Sequence, residues 1–391
     1  MRKIGLLLVL IATIISHDLS VAQELETEGF NLIVVGDPQP QTEAQFAELE
    51  SLVEQMGVYV DQYKSSGYPT AILLTGDVVW DSMELLPRVK ALFEGLNVPV
   101  YAVIGNHDHD RQSPHNERIA ESQYEQVFGP RYYHFTLGCT EFFALDNISY
   151  RAYEKYSIRV DNKQLRWLKR QAKSIDPESR IAIAMHAPAV DFRDNKRPYS
   201  HTKRIMRIFD GHRIDFITGH RHRHATVDIE EGVIEHNVAQ VNGNLWYAPI
   251  CSDGTPRSVF CIEERNDEWT WHYDILNSDD NSCIVAWDEG EAYGHEQSII
   301  VKVIGWDDKW QIKWMENGIP RGEMEQLEIT DPDYMRYIEE EADYDEIYMA
   351  RLRRSAAPHS HYFSCKRTVP NSQITIIATD RFGNTHTVTL D

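Results

Sequence analysis

The segment Asn31–Gln41, NLIVVGDPQPQ, decides the fold. Four apolar residues, Leu32 to Val35, run straight into Gly36 and Asp37. This is the pattern of a buried parallel strand that delivers a carboxylate to the edge of a sheet. The pattern returns along the chain. TAILLTGD ends on Asp77, and VPVYAVIGNHD ends on Asn106, His107 and Asp108. RIAIAMHAP carries His186 at the end of its apolar run, and DFITGHRH carries His220 and His222. Between these runs lie stretches with helical spacing, Glu43–Lys64, Met83–Leu96 and Asn162–Ser174, the last with Leu165, Leu168 and Ala172 on one face. Strand–helix alternation of this kind predicts an α/β layered domain.

In open α/β sheets, ligands collect outside the carboxyl ends of the strands. Asp37, Asp77, Asn106, His186, His220 and His222 therefore converge although they are spread over most of the domain. One Asp or His behind a strand reads as a cap or a satisfied polar group. Six in this order, each behind an apolar run, read as a metal centre. Mixed oxygen and imidazole donors suit Mn, Fe or Zn better than Ca or Mg. Gln39 is the anomaly, since many metal sites place a histidine two residues after the first acid. Its carbonyl oxygen can ligate, more weakly than imidazole, or it can hydrogen-bond nearby. Beyond the motifs, Asp191–Arg204 is locally basic and offers Arg193 to a phosphate, while His109 and His224 read as supporting or surface residues.

After Pro249 the texture changes. In KWQIKW, Trp310, Ile312 and Trp314 fall on one face. ITIIATD and THTVTL flank RFGN as a hairpin. Residues 256–391 thus read as a separate β-rich domain, with His359 and His361 structural within it. The acidic run Glu339–Glu346 reads as a solvated helix face.

The chain has 391 residues and a formal charge of −22, which argues against nucleic acid or an anionic membrane as a partner. Arg2 and Lys3 precede a short apolar run, Ile4–Ile15, and Ser20 and Ala22 sit at the small positions before a cut after Ala22. Residues 1–22 thus predict a signal peptide and an exported protein, periplasmic or secreted, with no stable membrane insertion. The five cysteines form no metal-ribbon spacing, and an oxidising compartment permits one or two bridges. Composition is silent on oligomeric state.

The motif set DPQ, GD, GNHD, MHAP and GHRH resembles the calcineurin-like metallophosphoesterase superfamily, whose signature runs D-x-H, G-D, G-N-H-D/E, H, G-H-x-H. The resemblance covers about residues 30–250, and DPQ in place of D-x-H occurs in some branches. GNLWYAPICSDGTPRSVF, SAAPHSHYF and ITIIATDRFGNTHTVTL resemble the β-rich C-terminal domain of a bacterial exported subset. The resemblance implies a four-layer αββα domain over 28–255, followed by a smaller β-rich domain over 256–391. It implies two divalent metal ions, one held by Asp37, Gln39, Asp77 and His222, the other by Asp77, Asn106, His186 and His220. It makes His107 the general acid, Asp108 its orienting partner and Asn106 a substrate contact. The implied reaction is hydrolysis of a small phosphate mono- or diester by a metal-bound hydroxide. Two alternatives stand beside it: a catalytically weak binding protein on the same fold, or a surface- or glycan-binding function in the C-terminal domain.

Overall fold

The computed structural model describes residues 29–110, 117–152, 155–278 and 281–391; the expected signal peptide lies outside them. Strand β1 (Gly29–Val35) is buried along its whole length. Its side chains alternate. Ile33 and Val35 pack under helix α1 (Glu43–Ser65), while Phe30, Leu32 and Val34 face an apolar layer on the other side. Thr42 caps α1 by accepting the Gln45 N–H. Strands β2 (Thr70–Leu74) and β3 (Val100–Ala102) extend the sheet in parallel, and helix α2 (Leu86–Glu94) packs beside α1.

A second sheet faces the first. Strands β4 (Tyr133–Leu137), β5 (Thr140–Leu145), β6 (Ile181–Met185), β7 (Ile214–Thr218), β8 (Ala225–Glu230) and β9 (Val233–Asn237) lie in the order β8-β9-β7-β6-β5-β4. The β5-β6-β7-β9 centre is parallel and both edges are antiparallel. Phe142, Ala144, Ala182, Ala184 and Ile217 meet Leu32, Val34 and Leu73 between the sheets. Phe143, Ile181, Ile183 and Phe216 face helices α3 (Asn162–Gln171) and α4 (Ser200–Ile208). The result is the four-layer αββα sandwich.

The sandwich does not stop at 255. Strand β10 (Ser258–Arg265) pairs antiparallel with β1, from Gly29 opposite Arg265 to Val34 opposite Phe260, and β11 (Glu268–Ile275) closes that edge. Val259 and Cys261 point to the α1 side, Phe260 and Ile262 to the inter-sheet layer. The sequence hides this because an antiparallel addition needs no helical crossover to announce which sheet it joins.

The remainder is β-rich as expected. β12 (Ile284–Trp287), β13 (Ile299–Val303), β14 (Gln311–Glu316), β15 (Ile319–Glu323), β16 (Glu325–Ile329), β17 (His359–Cys365), β18 (Ile374–Thr379) and β19 (Thr385–Leu390) form two four-stranded sheets around Val301, Ile312, Phe363 and Ile376. β18 and β19 are the expected hairpin, and Trp310 and Trp314 flank buried Ile312 on one face. The acidic run is exposed but is not one helix: it spans a π-helical turn, a connection and the first residue of α5 (Glu346–Ser355), which Asp345 caps. Cys251, Cys261, Cys283 and Cys365 are free thiols, so no bridge joins them. No helix among the described residues is long and apolar enough to cross a membrane.

Candidate metal centre

The six expected ligand positions lie where strands end: Asp37 behind β1, Asp77 behind β2, Asn106 behind β3, His186 behind β6, and His220 and His222 behind β7. The backbone there is forced. Asp37, Gln39, Asp77, His220 and His222 adopt φ of 34°, 47°, 47°, 67° and 59°, a left-handed region that costs a non-glycine residue on the order of 1–3 kcal/mol. Neighbouring groups hold it. Asn242 donates to the Asp37 and Pro38 carbonyls at 3.1 and 3.0 Å, and Trp246 Nε1 to those of Pro38 and Gln39 at 3.1 Å each. Glycine is needed at close approaches: a Cβ on Gly105 would lie 2.2 Å from Asp77 Oδ1, and one on Gly219 would lie 2.5 Å from Asp37 Oδ1.

The side chains converge on His186, which is fully buried. Its Nδ1–H is given to the Thr75 carbonyl at 2.9 Å, so Nε2 is the ring atom turned towards the other side chains. Nε2 lies 3.1 Å from Asn106 Oδ1, 3.1 Å from His220 Nδ1 and 3.3 Å from Asp77 Oδ1. The Tyr156 hydroxyl lies 3.3 Å from His220 Nε2 and can take its proton, leaving Nδ1 as a second donor atom. Asp37 sits beside this group, with Oδ1 3.6 Å from His186 Nδ1 and Oδ2 3.5 Å from His222 Nε2, and accepts the His220 N–H at 2.8 Å. Gln39 Nε2 donates to Asp77 Oδ2 at 2.6 Å, while its Oε1 is buried with no hydrogen-bond partner.

Lone pairs crowd here with too few protons to join them, which is the environment of a cation. Titration agrees. Burial, reinforced by Asp77, pushes the Asp37 carboxyl up to about 8. Burial would lower His186, but Asp77 and Asp37 outweigh it and push the imidazole up to about 9. Asp77 is raised by burial yet held well below the ordinary carboxylate range by His186 and His107. Burial lowers His220 to about 3 and His222 to about 4, keeping both in the neutral form that ligates. The donors fit divalent metal, and the buried Gln39 Oε1 is a position that such an ion would satisfy.

His107 lies at the rim. Its Nδ1 is 2.9 Å from Asp81 Oδ1, and its ring stacks on Trp80 with centroids 4.3 Å apart. Asp108 does not orient it. That carboxylate is fully buried and accepts the N–H groups of Gly105 at 2.8 Å and Val79 at 3.1 Å. Residues 106–108 form one 3₁₀ turn, in which successive side chains diverge by about 120°, so neighbours in GNHD cannot share a partner. Asp81, four residues after Asp77, supplies the carboxylate instead.

Other expectations resolve individually. His109 and His224 are structural: His109 Nδ1 bonds the Gly105 carbonyl at 2.8 Å, and the His224 N–H donates to Asp253 at 2.8 Å. His361 Nε2 bonds the Asp253 carbonyl at 2.7 Å. Arg193 is exposed, 3.5 Å from Asp191, and lines a cavity of about 580 Å³ beside His220. Sequence reasoning passed over Asp81, Trp80, Tyr156, Asn242 and Trp246. Only Asp81 left a signal, as the second acid of TGDVVWD.

Residues 30–224 match the family model described as calcineurin-like phosphoesterase, and residues 235–386 match the model described as C terminal of calcineurin-like phosphoesterase. No curated protein matches the chain. Among solved structures, a dimetal phosphatase from Danio rerio is 14% identical, with a TM-score of 0.42 over 64% of this chain and 99% of its own. The 5′-nucleotidase of Candida albicans is 13% identical, with a TM-score of 0.39 over 65% of this chain and 53% of its own.

Proposed function

Because the chain belongs to the calcineurin-like phosphoesterases, which are metal-dependent phosphoric ester hydrolases, we propose that it is an exported enzyme hydrolysing a small phosphate mono- or diester on two divalent ions. One ion would take Asp37, Gln39, Asp77 and His222; the other would take Asp77, Asn106, His186 and His220, with Asp77 shared. Mn, Fe or Zn suits these donors. When bound, such ions acidify a water towards a pKa of about 7 and neutralise phosphoryl charge. The chain's own residues do the rest. Thr75 fixes the His186 tautomer so that Nε2 is the donor atom. Asn106, whose main-chain carbonyl accepts from the Tyr150 hydroxyl at 2.8 Å, would meet the reacting phosphate. Asp81 holds the His107 Nδ1–H, so Nε2 is the edge that protonates the leaving oxygen. Export rests on the N-terminal sequence: basic residues, a short apolar run and small residues before Gln23.

The observation that carries the reading is the convergence of His186 Nε2, Asn106 Oδ1, Asp77 Oδ1 and His220 Nδ1. The His107–Asp81 pair favours catalysis over binding alone, since a binding protein needs no proton donor. The test is Asp77→Asn in purified protein supplied with Mn. Metal content, read by mass spectrometry, should fall well below two ions per chain, and hydrolysis of a chromogenic phosphate ester should be lost. Two ions retained with normal turnover would refute the shared-ligand assignment.

A further inference from the structure

The cavity beside His220 is lined by three arginines that the metal centre does not use: exposed Arg193, which lies 3.5 Å from Asp191, and the more deeply set Arg221 and Arg223. Arg221 and Arg223 alternate with His220, His222 and His224 in GHRHRH, and both line this cavity with Tyr156, Phe192 and Tyr199. Most half-buried arginines in this acidic chain are matched to carboxylates: Arg131 to Asp146 at 2.6 Å, Arg180 to Asp215 at 2.8 Å, Arg381 to Asp307 at 2.7 Å. Arg221 and Arg223 have no ion pair within 4 Å among the described residues. The Arg221 guanidinium lies face-on over the Phe192 ring, 3.5 Å from its centroid. Stacking occupies the flat face and leaves the N–H edges for an in-plane acceptor. Arg223 Nε is buried with no hydrogen-bond partner.

The nearby acids are engaged elsewhere: Asp191, which lines the cavity, accepts the Arg193 N–H at 3.0 Å and lies 3.5 Å from its guanidinium. Glu235 already accepts from the Ala189 and Val190 N–H groups at 2.8 and 3.1 Å and from Thr218 Oγ1 at 2.8 Å. Asp253 accepts from the His224 N–H at 2.8 Å and from Thr255 N and Oγ1 at 3.1 and 3.0 Å. Leaving a half-buried guanidinium without an acceptor is costly unless an acceptor arrives with a ligand. The guanidinium fork matches phosphate and carboxylate in two-point geometry.

We propose that this cavity binds a second anionic group of the substrate, so that the preferred substrates are organic phosphate esters bearing a further phosphate or carboxylate, gripped by Arg221 and Arg223. The aromatic walls of Phe192, Tyr156 and Tyr199 flank the organic part that joins the two anions. The proposal rests on the reading of the His220 side as the hydrolytic centre.

The test uses the full-length, Mn-loaded enzyme and a series of straight-chain diols of two to six carbons, each as its monophosphate and its bisphosphate, with phosphate release as readout. At one chain length the bisphosphate should show kcat/KM roughly tenfold or more above the monophosphate, as charge-assisted two-point contacts provide. Two cleavable ends account for a factor of about two at most. In Arg221→Met, Arg223→Met and the double variant this ratio should collapse towards that statistical factor, with Arg221→Lys keeping part of it. A wild-type ratio near two at every length overturns the proposal while leaving the hydrolase reading intact. A ratio that survives in the double variant overturns it also. If neither these esters nor 4-nitrophenyl phosphate is cleaved, the hydrolase reading fails with it.

Discussion

Asp81→Asn isolates the proton-transfer arm from the metal centre. The Asp81 carboxylate lies 2.9 Å from His107 Nδ1, with side chains 24% and 13% exposed. A charge-assisted hydrogen bond contributes about 1.5–3 kcal/mol net. Partial exposure of the carboxylate argues for the lower half of that range. About 1.5–2 kcal/mol corresponds to a factor of roughly 10–30 in rate, at 1.4 kcal/mol per tenfold. The same energy lowers the imidazolium pKa by about one unit. Asparagine is the right replacement because Asp81 has φ of 57°, a region that Asn tolerates and alanine does not. The sign follows from the acid form being required: with the carboxylate gone, His107 loses its proton at lower pH. The alkaline limb of log kcat/KM for an alkyl phosphate should therefore move down by about one pH unit. The rate at its optimum should fall roughly 10–30-fold. A nitrophenyl ester, whose leaving group departs unaided, should change little. Metal content should not change. An unmoved alkaline limb, or equal losses on both esters, would refute the assignment of His107 as a proton donor held by Asp81.

Asp108→Asn should behave differently, because its carboxylate serves backbone N–H groups: the urea midpoint should fall by the equivalent of about 2 kcal/mol, with no shift of the alkaline limb. Gln39→His should tighten one metal site, read as slower loss of metal to a chelator; identical release from both forms would exclude Gln39 as a ligand. Chelated protein should be stable in a pH-dependent way. Burial pushes Asp37 up to about 8, and its acidic neighbours push His186 up to about 9 despite burial. Both folded values lie above the unfolded ones, so their contribution is full at low pH and is lost as pH rises through 8 to 9. Urea midpoints of the chelated protein should drop between pH 7 and 9, and more steeply than those of the Mn-loaded protein.

The sandwich and the convergence of the six candidate side chains were legible because each strand is a continuous apolar run with its polar residue at the carboxyl end. Such runs mark strands buried on both faces, and the parallel topology places their ends together without further information. Two things were not legible. The partner of His107 is set by the pitch of a 3₁₀ turn, which sends Asp108 back to Gly105 and Val79 and leaves the ring to Asp81 from another loop. Adjacency in GNHD suggests the opposite. The support of the Gln39 loop comes from Asn242 and Trp246, some 200 residues on, through side-chain donors to backbone carbonyls. No local pattern encodes such contacts.

The same blind spot separates the C-terminal region from the enzyme in sequence and joins it in three dimensions. β10 and β11 cover the edge of β1, the strand that presents Asp37. A cut at residue 255 would uncover a row of strand N–H and C=O groups beside the metal loop. It would also leave Phe260 and Ile262 without the inter-sheet layer they fill. Beyond that edge, Tyr362 donates to the Asp253 carbonyl and to Asp331 at 2.9 Å each, and Lys302 pairs with Asp331 at 3.0 Å in a buried site. From α5, the Arg351 guanidinium lies 5.4 Å from the ring of Trp80, the residue on which His107 stacks. Contacts therefore run from α5 through Trp80 to His107, so the C-terminal region packs against the rim of the site as well as against the edge of β1.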